Sequence, residues 1–180
     1  MIEIKKEGII LRKTELSFES EGVLNPGVIQ ENGTIHLFYR AVAKGNFSSI
    51  GYCVLSDPLT IESRSDSPII IPEFEYEKHG IEDPRIVKID DLFYLTYTSY
   101  DGINALGTFK YLLESENLIP EKYRRYNEFQ VSHTDNHPIF LWDKNLIFFP
   151  RKINGKFYFI HRIRPDIQIV SIENIKDLSS

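Results

Sequence analysis

One cysteine, one methionine and one tryptophan stand in 180 residues. A single thiol, Cys53, excludes an internal disulfide framework, and its place in an apolar, strand-like run reads as a small core residue. Alanine and methionine are too sparse to favour a helical protein, whereas 12 Phe and 10 Tyr favour strands. Positive charge is not in excess. Lys and Arg number 21 against 26 Asp and Glu, for a formal net charge of -5, which excludes the electrostatic footprint of a nucleic-acid binder. No apolar run approaches the length of a membrane span. Met1 to Leu11, carrying Glu3, Lys5, Lys6 and Glu7, lacks the apolar stretch and small-residue cleavage site of a signal peptide. The default expectation is a cytoplasmic protein with no nucleic-acid or membrane partner, a secreted form being left open.

What the sequence does contain is a repeat. Three segments align: Asn25-Pro26 through Arg40, Asp83-Pro84 through Thr98, and Phe149-Pro150 through Arg162. Each holds a proline, an apolar run, a turn and a second apolar run. The turns are Glu31-Asn32-Gly33, Asp90-Asp91 and Asn154-Gly155, and Asx-Gly between apolar runs is a strong hairpin signal. A third strand-like run follows each pair: Ser49–Leu55, Ala105–Tyr111 and Asp166–Ile172. The block Tyr111 to Asn117 reads as an outer strand and turn, with a short helix as the alternative. A period of about 60 residues suits a four-stranded propeller blade. The expected fold class is therefore all-β, a partial propeller with blades near 17–75, 76–130 and 131–180. Three blades do not close a ring, and an open array leaves unpaired strand edges. The expectation is that the chain is part of a longer reading frame, or else that copies associate through those edges.

The repeat also locates candidate site residues. Asn25, Asp83 and Phe149 share one position, Tyr39, Tyr97 and His161 a second, and Arg40, Thr98 and Arg162 a third. Polar residues recur at the second and third, where a repeat core should be apolar, which points to a polar ligand in a shared funnel. In a regular strand Asp83 and Arg85 face one side and Glu82 the other. From spacing alone, a structural Asp-Pro turn with an ion pair to Arg85 fits at least as well as a catalytic acid.

The stretch from His79-Gly-Ile-Glu-Asp-Pro-Arg85 to Tyr100-Asp-Gly102 resembles the signature of glycoside hydrolase family 130, the β-mannoside phosphorylases and β-mannosidases. Asn25-Pro-Gly-Val28 with Leu37-Phe-Tyr-Arg-Ala41 is similar to the family's first-blade motif, and Phe149 to Arg162 to its third. The resemblance implies a five-bladed propeller and cleavage of a β-mannosidic linkage with inversion, by hydrolysis or phosphorolysis. It implies Asp83 as proton donor, delivering its proton through a substrate hydroxyl. It implies Asn25, Arg40, Tyr100 and Asp101 as sugar contacts, and Arg85, Lys152, His161 and Arg162 as the phosphate or anion site, since clustered cations suit phosphate. No cofactor is implied beyond inorganic phosphate as co-substrate. Ser49, and the chain after Gly102 reading Ile103-Asn104, stand where phosphorylases often carry a basic residue. These departures tilt the expectation toward hydrolysis, with the base outside this chain. A non-catalytic sugar-binding or interaction propeller is the alternative, and the isolated 180 residues are expected to be weakly active or inactive.

Three other features read blandly. His133, Asp135 and His137 alternate as metal ligands would on a strand, but a polar loop is the simpler account and no metal is expected. Lys122 to Tyr126 is a solvated basic loop, and Trp142 packs in a core rather than serving as a sugar platform.

Overall fold

The hairpin turns set the architecture. Asn32 and Gly33 take φ of 49° and 82°, the left-handed conformation that a two-residue hairpin turn needs and that Asn and Gly adopt most readily. They join β1 (Gly22–Glu31) to β2 (Thr34–Val42), paired antiparallel from Glu31 opposite Thr34 to Gly22 opposite Val42. β3 (Ser48–Asp57) pairs with β2, and β4 (Thr60–Arg64) with β3. The pattern recurs after residue 75. Asp90, at φ 55°, turns β5 (Gly80–Ile89) into β6 (Leu92–Tyr100), and β7 (Ala105–Leu113) pairs with β6. In the third meander β8 (Asp143–Phe148) pairs with β9 (Phe157–Ile163), and β9 with β10 (Asp166–Ile172). This computed structural model describes residues 4–102, 105–113, 143–163 and 165–175. Tyr111 belongs to the third strand, because β7 runs to Leu113, and the rest of the block to Asn117, read as an outer strand and turn, lies outside the described residues. The candidates His133, Asp135, His137, Lys122 to Tyr126, Trp142, Ile103 and Asn104 lie outside the described residues.

The meanders stack face to face, so β2 and β6 are buried on both sides and read as near-continuous apolar runs, while β9 alternates. Between the first and second lie Phe38, Ile50, Ile81, Ile86, Phe93 and Leu95. Between the second and third lie Ile89, Tyr94, Leu146, Phe148, Phe157 and Phe159. On the outer face of the first, Leu37, Ala41, Cys53 and Leu55 meet Ile10, Leu11 and Phe18 of the N-terminal segment. Cys53 is 1% exposed, and burial pushes its thiol up to about 11, as suits a core residue rather than a nucleophile. This is the all-β, face-stacked architecture of a β-propeller.

Stacking corrects one expectation. Tyr39, Tyr97 and His161 do share a position, but it faces the neighbouring layer rather than a channel, and all three are almost fully buried. Each bonds a buried carboxylate: Tyr39 donates to Glu19 (2.8 Å), Tyr97 to Glu77 (2.9 Å), and His161 Nδ1 lies 2.9 Å from Asp143. The chain segment entering each meander is thereby anchored to its middle strand. Such buried acids persist only when hydrogen-bonded.

Ion pairs tie the layers at both ends. At the end holding the hairpin turns, Lys88 pairs with Glu31 (2.6 Å) and Lys152 with Asp90 (2.7 Å). At the opposite end, Glu82 on β5 takes Arg40 of β2 on Oε1 (2.9 Å) and Lys144 of β8 on Oε2 (3.1 Å). One carboxylate thus joins all three meanders. Its side chain is 8% exposed, so its removal strands two poorly solvated cations. Glu82→Gln is expected to cost about 3–5 kcal/mol, the usual penalty for breaking a buried pair, measured by urea denaturation.

His36 supplies a pH-dependent contribution. Burial holds its imidazole below the ordinary 6.5, with Glu31 pulling weakly the other way. Nδ1 sits 2.7 Å from the Tyr52 hydroxyl. The unfolded chain therefore binds this proton more readily than the folded one, so stability is complete above 6.5 and falls as the pH drops from there toward the lower folded value. In wild type the urea midpoint should decline between about pH 7 and pH 5, and His36→Gln should flatten that slope.

Candidate functional site

Three β-bulges converge at the end marked by Glu82. The register breaks between Leu24 and Gly27 on β1, between Glu82 and Arg85 on β5, and between Lys144 and Ile147 on β8. Each bulge holds an Asx residue at positive φ: Asn25 at 46°, Asp83 at 54° and Asn145 at 61°. Asn and Asp tolerate this conformation better than other residues with a Cβ. The bulge detaches their side chains from the sheet's alternation.

This changes two readings. The third member of the set is Asn145, not Phe149, which lies beyond β8. The proline taken as the marker is absent from the third bulge, where Leu146 follows Asn145. The alternation argument for Asp83 and Arg85 also fails. Glu82 and Arg85 stand opposite Thr98 and Thr96, two residues apart and so on one face, while Asp83 is extruded between them.

β1 and β5 approach closely here. A Cβ on Gly27 would lie 2.9 Å from Pro84 O, so glycine lets the two inner strands meet. Across that contact Asn25 Nδ2 donates to Asp83 Oδ1 at 2.6 Å. Asp83 is half-buried, and its Oδ2 makes no hydrogen bond among the described residues. With Oδ1 occupied as an acceptor, a proton carried by Asp83 belongs on Oδ2. Arg85 donates to Pro84 O (2.7 Å) and weakly to Asn25 O (3.4 Å), bracing both bulges through their backbone. A cavity of about 320 Å³ between Gly8–Leu11 and Val23–Pro26 opens beside Asn25.

Of the residues singled out from sequence, Asn25, Asp83, Arg85, Arg40 and Arg162 come to this end. Arg40 is held by Glu82, by Ser48 Oγ (2.8 Å) and by Asn46 (3.3 Å). Arg162 stands opposite Lys144 in the register, and its Nε is buried with no hydrogen-bond partner among the described residues. Tyr100 and Asp101 end β6 at the same side, Tyr100 donating to Gly102 O (3.0 Å). His161 lies within the layer on Asp143. Lys152 is not brought to the site. It pairs with Asp90 at the hairpin-turn end, about 20 Å away along β5. Ser49 is 3% exposed inside β3. Sequence reasoning missed Glu82, Lys144 and Asn145. The signal for Asn145 was an Asx residue opening an apolar run, as at Asn25 and Asp83. The signal for the other two was a charge of each sign within strands that must be buried.

Comparison with known proteins supplies the family. The family model described as beta-1,4-mannooligosaccharide phosphorylase, glycoside hydrolase family 130, matches residues 5–175. A 1,2-beta-oligomannan phosphorylase of Thermoanaerobacter sp. (strain X514) is 34% identical over 188 aligned positions, covering 98% of this chain and 59% of the relative. A beta-1,2-mannobiose phosphorylase of the same strain is 36% identical, covering 86% of this chain and 52% of its own length. The chain thus spans somewhat over half the length of these relatives. In fold it is similar to a putative glycosidase from Bacteroides thetaiotaomicron, with a TM-score of 0.74 at 20% identity over 94% of this chain and 56% of that one. It is likewise similar to the beta-1,2-mannobiose phosphorylase of Listeria innocua, solved with mannobiose, with a TM-score of 0.65 at 18% identity over 86% and 57%. With the family model covering nearly its whole length and its characteristic Glu82-Asp83-Pro84-Arg85 lying at the bulge, the chain belongs to glycoside hydrolase family 130.

Proposed function

We propose that the protein containing this chain cleaves β-mannosidic linkages by phosphorolysis with inversion, Asp83 supplying the proton. The observation that carries this reading is Asp83 itself: an acid extruded at a positive-φ bulge, with Oδ1 held by Asn25 and Oδ2 without a hydrogen bond among the described residues. The surrounding charge suits an anionic nucleophile, with Arg40, Arg85, Lys144 and Arg162 set against Glu82 and Asp83. The names of the two Thermoanaerobacter relatives favour phosphate over water as acceptor and the β-1,2 linkage as the first to test, although the family description names β-1,4. The residues at Ser49 and Ile103 had tilted the expectation to hydrolysis. The cation set and the relatives outweigh them. The family match likewise leaves a non-catalytic sugar-binding or interaction propeller unfavoured.

In this reading the sugar's anomeric carbon sits between Asp83 and a bound hydrogen phosphate. Asp83 passes its proton toward the glycosidic oxygen through a sugar hydroxyl, the bond from the anomeric carbon to that oxygen breaks, and a phosphate oxygen bonds the carbon from the opposite face. Hydrogen phosphate loses its proton in becoming the ester, which balances the proton taken by the leaving sugar. Asn25, Tyr100 and Asp101 would hold the sugar, while Arg85 and Arg40 keep the bulges and cations in place. Lys144 and Arg162 are the anion-site candidates of this chain. Further groups, including any base for a hydrolytic variant, would come from the part of the family fold that this chain does not span, so the isolated 180 residues should show little activity.

The test uses protein expressed from the full reading frame with β-1,2-mannobiose. Mannose 1-phosphate formed only when phosphate is present supports phosphorolysis, whereas free mannose in phosphate-free buffer means hydrolysis. Asp83→Asn should lower kcat by roughly 10²–10⁴, the usual weight of a general acid. An unchanged rate removes Asp83 from the chemistry.

A further inference from the structure

Phe74 and Tyr76 lie in the segment entering β5, at the end where Asp83 emerges. Their rings are parallel within 4°, with centroids 5.3 Å apart. Phe74 is 43% exposed and Tyr76 is partly buried, which leaves apolar ring surface available to a ligand. The pair is also held in place. The short 3₁₀ turn Glu75–Glu77 ends on a fully buried carboxylate. Glu77 accepts from the Glu73 backbone N–H (2.9 Å), the Tyr97 hydroxyl (2.9 Å) and the Ser99 hydroxyl (3.3 Å). The aromatic pair is thus bolted to the middle strand of the second meander. Polar groups flank it: Lys78 pairs with Glu75 at 2.8 Å, and Asp101 lies close enough to raise the Lys78 pKa further. Between this platform and the bulge stands His79, its ring packed over Gly102, where a Cβ would come within 2.7 Å of it.

We propose that Phe74 and Tyr76 form an outer sugar subsite, stacking on a pyranose ring of a β-mannan chain beyond the sugars at the cleavage point. The inference rests on the mannoside reading above and adds chain-length preference to it. Aromatic faces are electron-rich and attract the polarised C–H groups on a sugar's apolar face, while Glu75, Lys78 and Asp101 offer partners to the hydroxyls around it. The 3₁₀ turn, His79 and the first residues of β5 separate the pair from Asp83 along the chain, at the same end of the sheets. A rigid platform loses little entropy on binding, and the substrate that profits is an oligomannan rather than a disaccharide.

The experiment compares kcat/KM for β-1,2-mannobiose and β-1,2-mannotetraose in wild type, Phe74→Ala, Phe74→Leu and Phe74→Tyr, all from the full reading frame. Wild type should prefer the tetraose, and Phe74→Ala and Phe74→Leu should each cut that preference about tenfold, the size expected for one lost stacked ring. Phe74→Tyr, which keeps a flat ring, should retain it. The Leu variant preserves apolar volume, so an equal preference in Leu and wild type would overturn stacking. Calorimetric titration of mannotetraose into Asp83→Asn and Asp83→Asn/Phe74→Ala gives a readout without turnover, and equal affinity in the two would also overturn the proposal. If wild type cleaves neither substrate, the mannoside reading fails, and the titration still decides the subsite.

Discussion

The carboxylate of Glu82 is the point on which the rest of the arrangement depends. It accepts Arg40 from one neighbouring meander and Lys144 from the other, within a layer that excludes most water. A lone charge there would be prohibitively costly, and so would either cation without it. The three charges therefore fix each other, and with them the separation of β2, β5 and β8. Glu82 can face those cations only because the chain bulges directly after it. The same bulge that returns Arg85 to the face of Glu82 expels Asp83 from the sheet. The structural ion cluster and the extruded acid are two results of one backbone irregularity.

That irregularity recurs with altered chemistry. All three inner strands carry an Asx residue at positive φ in the same place, a conformation that few other side chains share at low cost. The repeat thus conserves a backbone geometry whose natural occupants are acids or their amides. Only in the second meander is the occupant an acid. Asn25 serves as its hydrogen-bond donor across the Gly27 contact, and Asn145 is exposed. The proton-donor role proposed for Asp83 would need a hydrogen-bond environment that tells its two oxygens apart, and the neighbouring repeat supplies one from an equivalent position. The site is therefore composite by construction: no single meander could build it.

Much of this was legible in the sequence, and the failures have physical causes. The hairpin turns were readable because Asn-Gly has few alternatives in so tight a turn. The equivalence of Arg40, Thr98 and Arg162 followed from their distance to those turns, and the register confirms it. Phe149 was misassigned because proline was taken as the marker, although the geometry selects the Asx residue before it. Proline is compatible with the position after Asn25 and Asp83 but not required, as Leu146 shows. The facing of Asp83 and Arg85 was misjudged because alternation holds only in an unbulged strand. Tyr39, Tyr97 and His161 looked like channel residues because polar atoms at repeat positions suggested a ligand. Their actual partners, Glu19, Glu77 and Asp143, lie about a hairpin away in sequence and carry no local signature. Lys152 fits the motif, but it follows Asn145, the equivalent of Asp83, by the rest of β8 and the start of the turn, which carries it to the other end.

The two ends of the stacked sheets divide the work between them. At the hairpin-turn end, tight turns and the pairs Glu31–Lys88 and Asp90–Lys152 leave charges satisfied by one another. At the bulge end, the positive-φ residues, the half-buried Asp83, the buried Nε of Arg162 and the exposed ring of Phe74 all carry local costs. Such costs persist in a fold only if the surrounding packing is stable enough to impose them. Here the imposing elements are identifiable: Glu82 with its two cations, and Glu77 beneath the aromatic pair. Both acids are buried, both reach across from one element to another, and neither touches solvent enough to act on a substrate. Asp83 and Phe74 are presented at this end because buried carboxylates, Glu82 one residue away and Glu77 one turn away, hold the backbone that carries them.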